Sequence, residues 1–193
     1  MVMGALGGAL VMKYMGDLPA ALMIAVVVIG SILFGMIYSL LLAVSAINFK
    51  ADQTLVGTAM NLLGTAAATV FVKAINMGED VNNVSSSIQY IDQRKAFSAF
   101  KIGNFGVSWF MILAVILLIA AHVVLYKTRF GLRLRACGEH PQAADSVGIN
   151  VYKMRYAGVL ISGVFGGLGG IVYITAGVSE WKFENGVAGF GFL

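Results

Sequence analysis

The apolar positions of this chain fall in long, uncharged runs, without the alternation of a half-buried strand or the one-sided stripe of a water-facing helix. Ala20 to Ile47 contains no charged residue and is long enough to cross a hydrocarbon core of about 30 Å with some tilt. Thr54 to Val72, Phe105 to Tyr126 and Tyr156 to Val178 repeat the pattern. Trp109 and Tyr126 stand near the two ends of the third run, where an aromatic belt places them. Met1 to Met12 is apolar but too short, and reads as the last part of a first membrane helix closed by Lys13 to Pro19, where Asp17 and Pro19 break the pattern. At the other end Ser179 to Asn185 reads as a turn with Trp181, and Gly186 to Leu193 as the start of a further span or re-entrant half-helix. These patterns predict an all-α, polytopic helical bundle: one transmembrane domain over residues 1–193, incomplete at both ends.

Three polar segments separate the runs. Asn48 to Gln53 is a short turn with Lys50 and Asp52. Lys73 to Asn104 is long and nearly balanced in charge, rich in Asn and Ser, with room for an interfacial helix near Ile88 to Phe100. Lys127 to Arg155 holds nearly half of the 13 Lys and Arg, which marks it as the cytoplasmic side. Alternation then puts Asn48 to Gln53 inside, and Lys13 to Pro19 and Lys73 to Asn104 outside.

The basic loop carries its own structural signals. Pro141 suits the first position of a helix and Gly148 the left-handed residue that ends one, so Pro141 to Val147 reads as about two turns. Asn150 is a good N-cap for the helix that follows. A short helix lying across the membrane surface between two spans has the shape of a coupling element, a handle by which a cytoplasmic partner moves the membrane part.

Composition supports this reading. The chain is 59% hydrophobic and 11% charged with mean hydropathy +0.87, against about 25% charged for a soluble domain. The net charge of +4 implies no nucleic-acid partner, because the basic residues cluster beside apolar spans. Lys13 follows the first apolar residues instead of preceding them, unlike a signal peptide. Cys137 is the single cysteine, so no disulfide framework exists, and Cys137 with His140 makes only half of a zinc site. His122 stands alone among apolar residues and reads as a packing histidine. No acidic residue lies within a span, which argues against a proton- or sodium-driven carrier. There is no Ser/His/Asp set and no carboxylate pair, so no catalytic residue, metal or cofactor is expected on this chain.

Two helical faces carry candidate function. Thr54, Thr58, Asn61, Thr65 and Thr69 recur at three- and four-residue spacing on one face, which lines a translocation path or makes hydrogen bonds between helices and back to its own helix. Gly163 with Gly167, and Gly166 with Gly170, form small-xxx-small pairs that let helices approach closely.

The run TRFGLRLRACGEHPQAADSVG, Thr128 to Gly148, followed by INVYKMRYAGVLISGVFGGLGG, resembles the signature region of ABC-importer permeases of the branched-chain amino acid and simple-sugar group. ADQTLVGTAMNLLG, Ala51 to Gly64, resembles the nucleoside branch that works with basic-membrane-lipoprotein-type binding proteins. The resemblance implies a multi-pass permease of the bacterial cytoplasmic membrane. It implies as partners cytoplasmic ATPase subunits carrying ATP and Mg, a second permease, homologous or identical, and an extracellular substrate-binding lipoprotein. It assigns coupling to Ala143, Ala144 and Gly148, with Glu139, Pro141 and Asp145 around them. Gln142 stands where the general motif has Glu, and the Ile-x-Leu-Pro that usually follows is absent. A nucleoside is the expected solute, a simple sugar the alternative, and a non-transporting membrane scaffold the reading from another class.

Overall fold

The computed structural model describes residues 1–15, 19–85, 87–89, 98–102, 105–177 and 180–182. Seven α-helices are described: α1 (Val2–Tyr14), α2 (Ala20–Ala43), α3 (Gln53–Glu79), α4 (Trp109–Lys127), α5 (Arg129–Glu139), α6 (Pro141–Ser146) and α7 (Val151–Gly177). A π-turn, Val44–Asn48, continues α2. Among the described residues, three helical stretches are long and apolar enough to cross a membrane: Leu22–Asn48, Gln53–Glu79 and Val151–Ile174. The bent pair α4 and α5 makes a fourth if counted as one span. The all-α membrane fold expected from the hydrophobic runs is therefore the fold observed.

The centre of the bundle is α1, α2 and α7. Between apolar helices in lipid there is little hydrophobic drive, so close packing and hydrogen bonds hold them. Glycine makes this packing possible: a Cβ on Gly167 would stand 2.6 Å from the Ser31 carbonyl oxygen of α2, and one on Gly35 2.5 Å from that of Gly163. Gly4 of α1 meets the Gly167 backbone still more closely. Ser31, fully buried at this junction, lies with its Oγ 2.7 Å from the carbonyl oxygens of both Gly4 and Gly167. One hydroxyl thus ties three helices. As far as Met12 the helix α1 is apolar all round, and it buries Ala5, Leu6, Ala9 and Met12, so the shortest of the apolar helices is closely enclosed.

The two ends of the bundle differ in what ties them. At one end Lys13 of α1 pairs with Glu79 of α3 at 2.8 Å, and buried Asn76 donates to the carbonyls of Ser85 at 2.9 Å and Ser87 at 3.0 Å. Strand β1 (Ser87–Gln89) pairs antiparallel with β4 (Glu180–Lys182), and β2 (Ser98–Ile102) with β3 (Phe105–Ser108). At the other, basic end, Tyr156 donates to Asn48 Oδ1 at 3.0 Å.

Several boundaries differ from the sequence expectation. The second long helix was expected to stop at Val72 but runs to Glu79, because Val72 and Asn76 continue its buried face and Glu79 finds Lys13. Phe105–Ser108 is strand and not the start of a span, since those residues pair with Ser98–Ile102. The interfacial helix expected near Ile88 to Phe100 is strand at both described flanks, and residues 90–97 lie outside the described residues. The span or half-helix expected from Gly186 to Leu193 also lies outside them.

Candidate coupling site and polar face

The candidate coupling site begins with a corner. Thr128 caps α5 by accepting from the Gly131 N–H at 3.2 Å while its hydroxyl donates to the Val124 carbonyl of α4. Gly131 has the Val124 and Leu125 carbonyls pressed against the place a Cβ would occupy, so only glycine fits there. The chain bends by 73° between α4 and α5. From there α5 runs to Glu139, with Gly131 and Cys137 buried and a leucine, Leu134, against Gly158 of α7.

Pro141 then occupies the first turn of α6, where its missing N–H removes no helical bond. The helix ends in a tight reversal: Gly148 N–H donates to the Asp145 carbonyl at 2.9 Å and Ile149 N–H to that of Ala144 at 3.1 Å. Gly148 has φ +82, in the left-handed region, which a side chain strains. Asn150 Oδ1 accepts from the Lys153 N–H at 3.0 Å and starts α7. The Gly148 stop and the Asn150 cap stand as expected, while α6 closes at Ser146, one residue short of Val147.

Between α2's π-turn, α5, α6 and the first turns of α7 lies a cleft of about 770 Å³, lined among others by Ile47, Lys50, Cys137, Pro141, Asp145 and Arg155. Of the six residues assigned to coupling, Pro141 and Asp145 face this cleft; Ala144 is buried beneath α6, and Glu139, Ala143 and Gly148 are exposed. The short helix is thus seated on the rest of the molecule through Ala144 and open on its other side. Lys50, in the turn that crosses the cleft, has φ 51. Asp52 follows it and caps α3, accepting from the Thr54 N–H at 2.8 Å and the Leu55 N–H at 3.4 Å. The Thr54 bond first, then that from Leu55, holds its carboxyl below the usual carboxylate range. Cys137 is buried and His140 exposed, and among the described residues no cluster of three or more metal-binding side chains forms.

The polar face of α3 divides along its length. Gly64, Ala68, Val72 and Asn76, at four-residue steps, are buried against the bundle. Thr54, Thr58 and Asn61, nearer the basic end, are exposed, with Thr65 and Thr69 half-buried between. The hydroxyls of Thr58, Thr65 and Thr69 donate to the carbonyls of Thr54, Asn61 and Thr65 at 2.9, 3.2 and 2.8 Å. Back-bonding therefore occupies the hydroxyls without covering the face, and Asn61 keeps an open amide. The glycines of α7 do not all serve one neighbour: Gly163 and Gly167 meet α2, Gly170 meets Met1 and Ala5, and Gly166 has only ordinary contact with Met1.

Three features of the molecule are not legible in the sequence pattern. The helix α5 is signalled by Phe130, Leu134 and Cys137 at helical spacing, but its charges read as loop. Ser31 is one hydroxyl in an uncharged run and gives no pattern at all. The Lys13, Asn76 and Glu79 cluster joins residues far apart in the chain.

Residues 1–192 match the family described as branched-chain amino acid transport system / permease component. The guanosine ABC transporter permease protein NupQ of Bacillus subtilis is 36% identical over 100% of this chain and 61% of its own length. The nucleoside ABC transporter permease protein NupC of Lactococcus lactis is 40% identical over 83% of this chain and 51% of its own. The galactose/methyl galactoside import permease protein MglC of Haemophilus influenzae is more distant, 28% identical over 82% of this chain and 44% of its own. The chain thus spans between half and two thirds of the length of the two nucleoside relatives. No solved structure matches it.

Proposed function

The chain belongs to the branched-chain amino acid transport system permease family, and from that premise we propose that it is the membrane-spanning part of an ATP-driven importer for nucleosides. The observation that carries the reading is α6: a helix seated on Ala144 over a cleft shared with the end of α2 and the start of α7, and open on its outer side. A cytoplasmic ATPase that grips α6 pushes on α5, α7 and the end of α2 together. Because α2 and α7 meet backbone to backbone along Gly35, Gly163 and Gly167, the push is carried into the membrane by a stiff unit. Two arrangements of this unit, outward-open and inward-open, give the ATPase an equilibrium to bias. Glu139, Ala143 and Gly148 form the accessible side of the grip, and Pro141 and Asp145 its cleft side.

Catalysis belongs to the partner. ATP and Mg sit on the ATPase subunits, a second permease chain completes the path, and an extracellular binding lipoprotein delivers the solute. Thr58, Asn61, Thr65 and Thr69 line the path. Their face is polar, open at the basic end and uncharged, which suits a neutral solute with hydroxyls and a base. Identity to guanosine and nucleoside permeases supports the nucleoside, and the weaker likeness to a galactose permease makes a simple sugar the second reading.

The test is ATP-dependent uptake of labelled nucleosides and sugars in vesicles holding the complete complex and its binding lipoprotein. Nucleoside accumulation is expected. Accumulation of sugar alone moves the substrate to the second reading. An assembled chain that binds no ATPase removes the coupling role and leaves a membrane scaffold.

A further inference from the structure

Where α4 ends, the 73° turn into α5 is flanked along the chain by Lys127, Arg129, Arg133 and Arg135, with Arg129 and Arg133 one helical turn apart. All four are exposed, and among the described residues no carboxylate pairs with them. Arg135 lies with its guanidinium carbon 4.8 Å from the centre of the Tyr126 ring, and Tyr126 stacks on His122 at 4.9 Å. The aromatic column holds one cation at the mouth of the helix. Between Arg129 and Arg133 stands Leu132, 62% exposed, an apolar side chain amid cations. Further along, α4 exposes Leu118, Ile119 and Val123 in an apolar flank.

Two chemistries therefore adjoin: unpaired cations at the corner, and a bare hydrocarbon surface beginning beside them. A soluble acidic partner would answer the first alone, whereas the second belongs to an apolar helix that already meets lipid. A phospholipid with an anionic headgroup answers both, its phosphate among the cations and its acyl chains along α4. We propose that the α4–α5 corner is a binding site for anionic phospholipid, contacted through Lys127, Arg129 and Arg133, with Leu132 entering the acyl boundary and Arg135 held by Tyr126. Such a lipid would anchor α5, and with it the approach to α6, at the membrane surface.

The experiment reconstitutes the full chain in phosphatidylcholine vesicles carrying spin-labelled phosphatidylglycerol or spin-labelled phosphatidylcholine, and reads the motionally restricted fraction of each. A severalfold preference for phosphatidylglycerol is expected, weakened by salt. The triple change Lys127→Ser, Arg129→Ser, Arg133→Ser should bring the two lipids level, while Lys153→Ser, also exposed at the basic end, should not. Arg133→Gln alone should lower the preference in part and leaves the Thr128 cap and Gly131 corner in place. Equal restriction of both lipids by the native chain overturns the proposal. So does a preference that survives the triple change. None of these readings depends on transport or on the identity of the solute.

Discussion

The α1, α2 and α7 core and the α4 flank solve the same problem, a helix in lipid, in opposite ways. In the core the backbones touch: Gly4, Gly35, Gly163 and Gly167 leave no room for a methyl group, and Ser31 joins three helices. Along α4 and α7 the helices stand apart around an apolar cleft of about 760 Å³ lined by Leu117, Leu118, Phe165 and Val172. Helices in a membrane thus associate where small residues permit contact, and apolar character alone does not bring them together. Close packing is concentrated in α1, α2 and α7, while α3 and α4 keep much of their apolar surface exposed.

The sharpest way to break this contrast is to add bulk on each side of it. Gly167→Leu should cost about 3 kcal/mol or more, because the new side chain meets the Ser31 backbone, which cannot yield as a side chain could. Folded, detergent-extracted material measured by size exclusion should fall sharply. Gly78→Leu on α3, where a Cβ meets nothing within 4 Å, should leave the yield unchanged. Equal yields from the two would mean that the close packing is not what holds the core.

Next in size is the end that carries α6. Gly148→Val forces a branched side chain to φ +82, a strain of about 1–2 kcal/mol in a turn outside the core. The protein should reach the membrane in normal amount while ATP-driven uptake is lost; undiminished uptake would separate α6 from coupling.

A smaller effect sharpens the role of hydroxyls. Ser31→Ala should lower stability by about 1 kcal/mol, seen as a lower melting temperature in detergent, since a fully buried donor between two helices is removed. Thr65→Ala should change it little, because that hydroxyl only bonds its own helix. If Thr65→Ala proves the costlier change, the polar face of α3 is a structural seam.

The smallest effect concerns the Asp52 cap. Its carboxyl is held low by the Thr54 and Leu55 N–H groups, so its stabilising contribution is complete above the ordinary carboxylate range and is lost as pH falls through the depressed value. The melting difference between the native chain and Asp52→Ala should therefore persist at mildly acidic pH and close only below the usual carboxylate range. A gap that closes near neutral pH would point to another group.

What local chemistry controls was legible along the chain. Uncharged runs of spanning length set the long helices, Pro141 and Gly148 set the bounds of α6, and Asn150 set the start of α7, because capping, turn conformation and transfer to lipid depend on neighbours along the chain. The central helix α1 was legible only as the tail of a span, and its place in the middle of the bundle was not. Tertiary structure alone decided which surfaces meet. Ser31 between Gly4 and Gly167, Lys13 with Glu79, the strand pairing of Phe105–Ser108 and the cleft joining α6 to α2 all bring together residues from separate elements. A glycine stripe states that something can come close; which helix does so is fixed by the shapes of all of them at once.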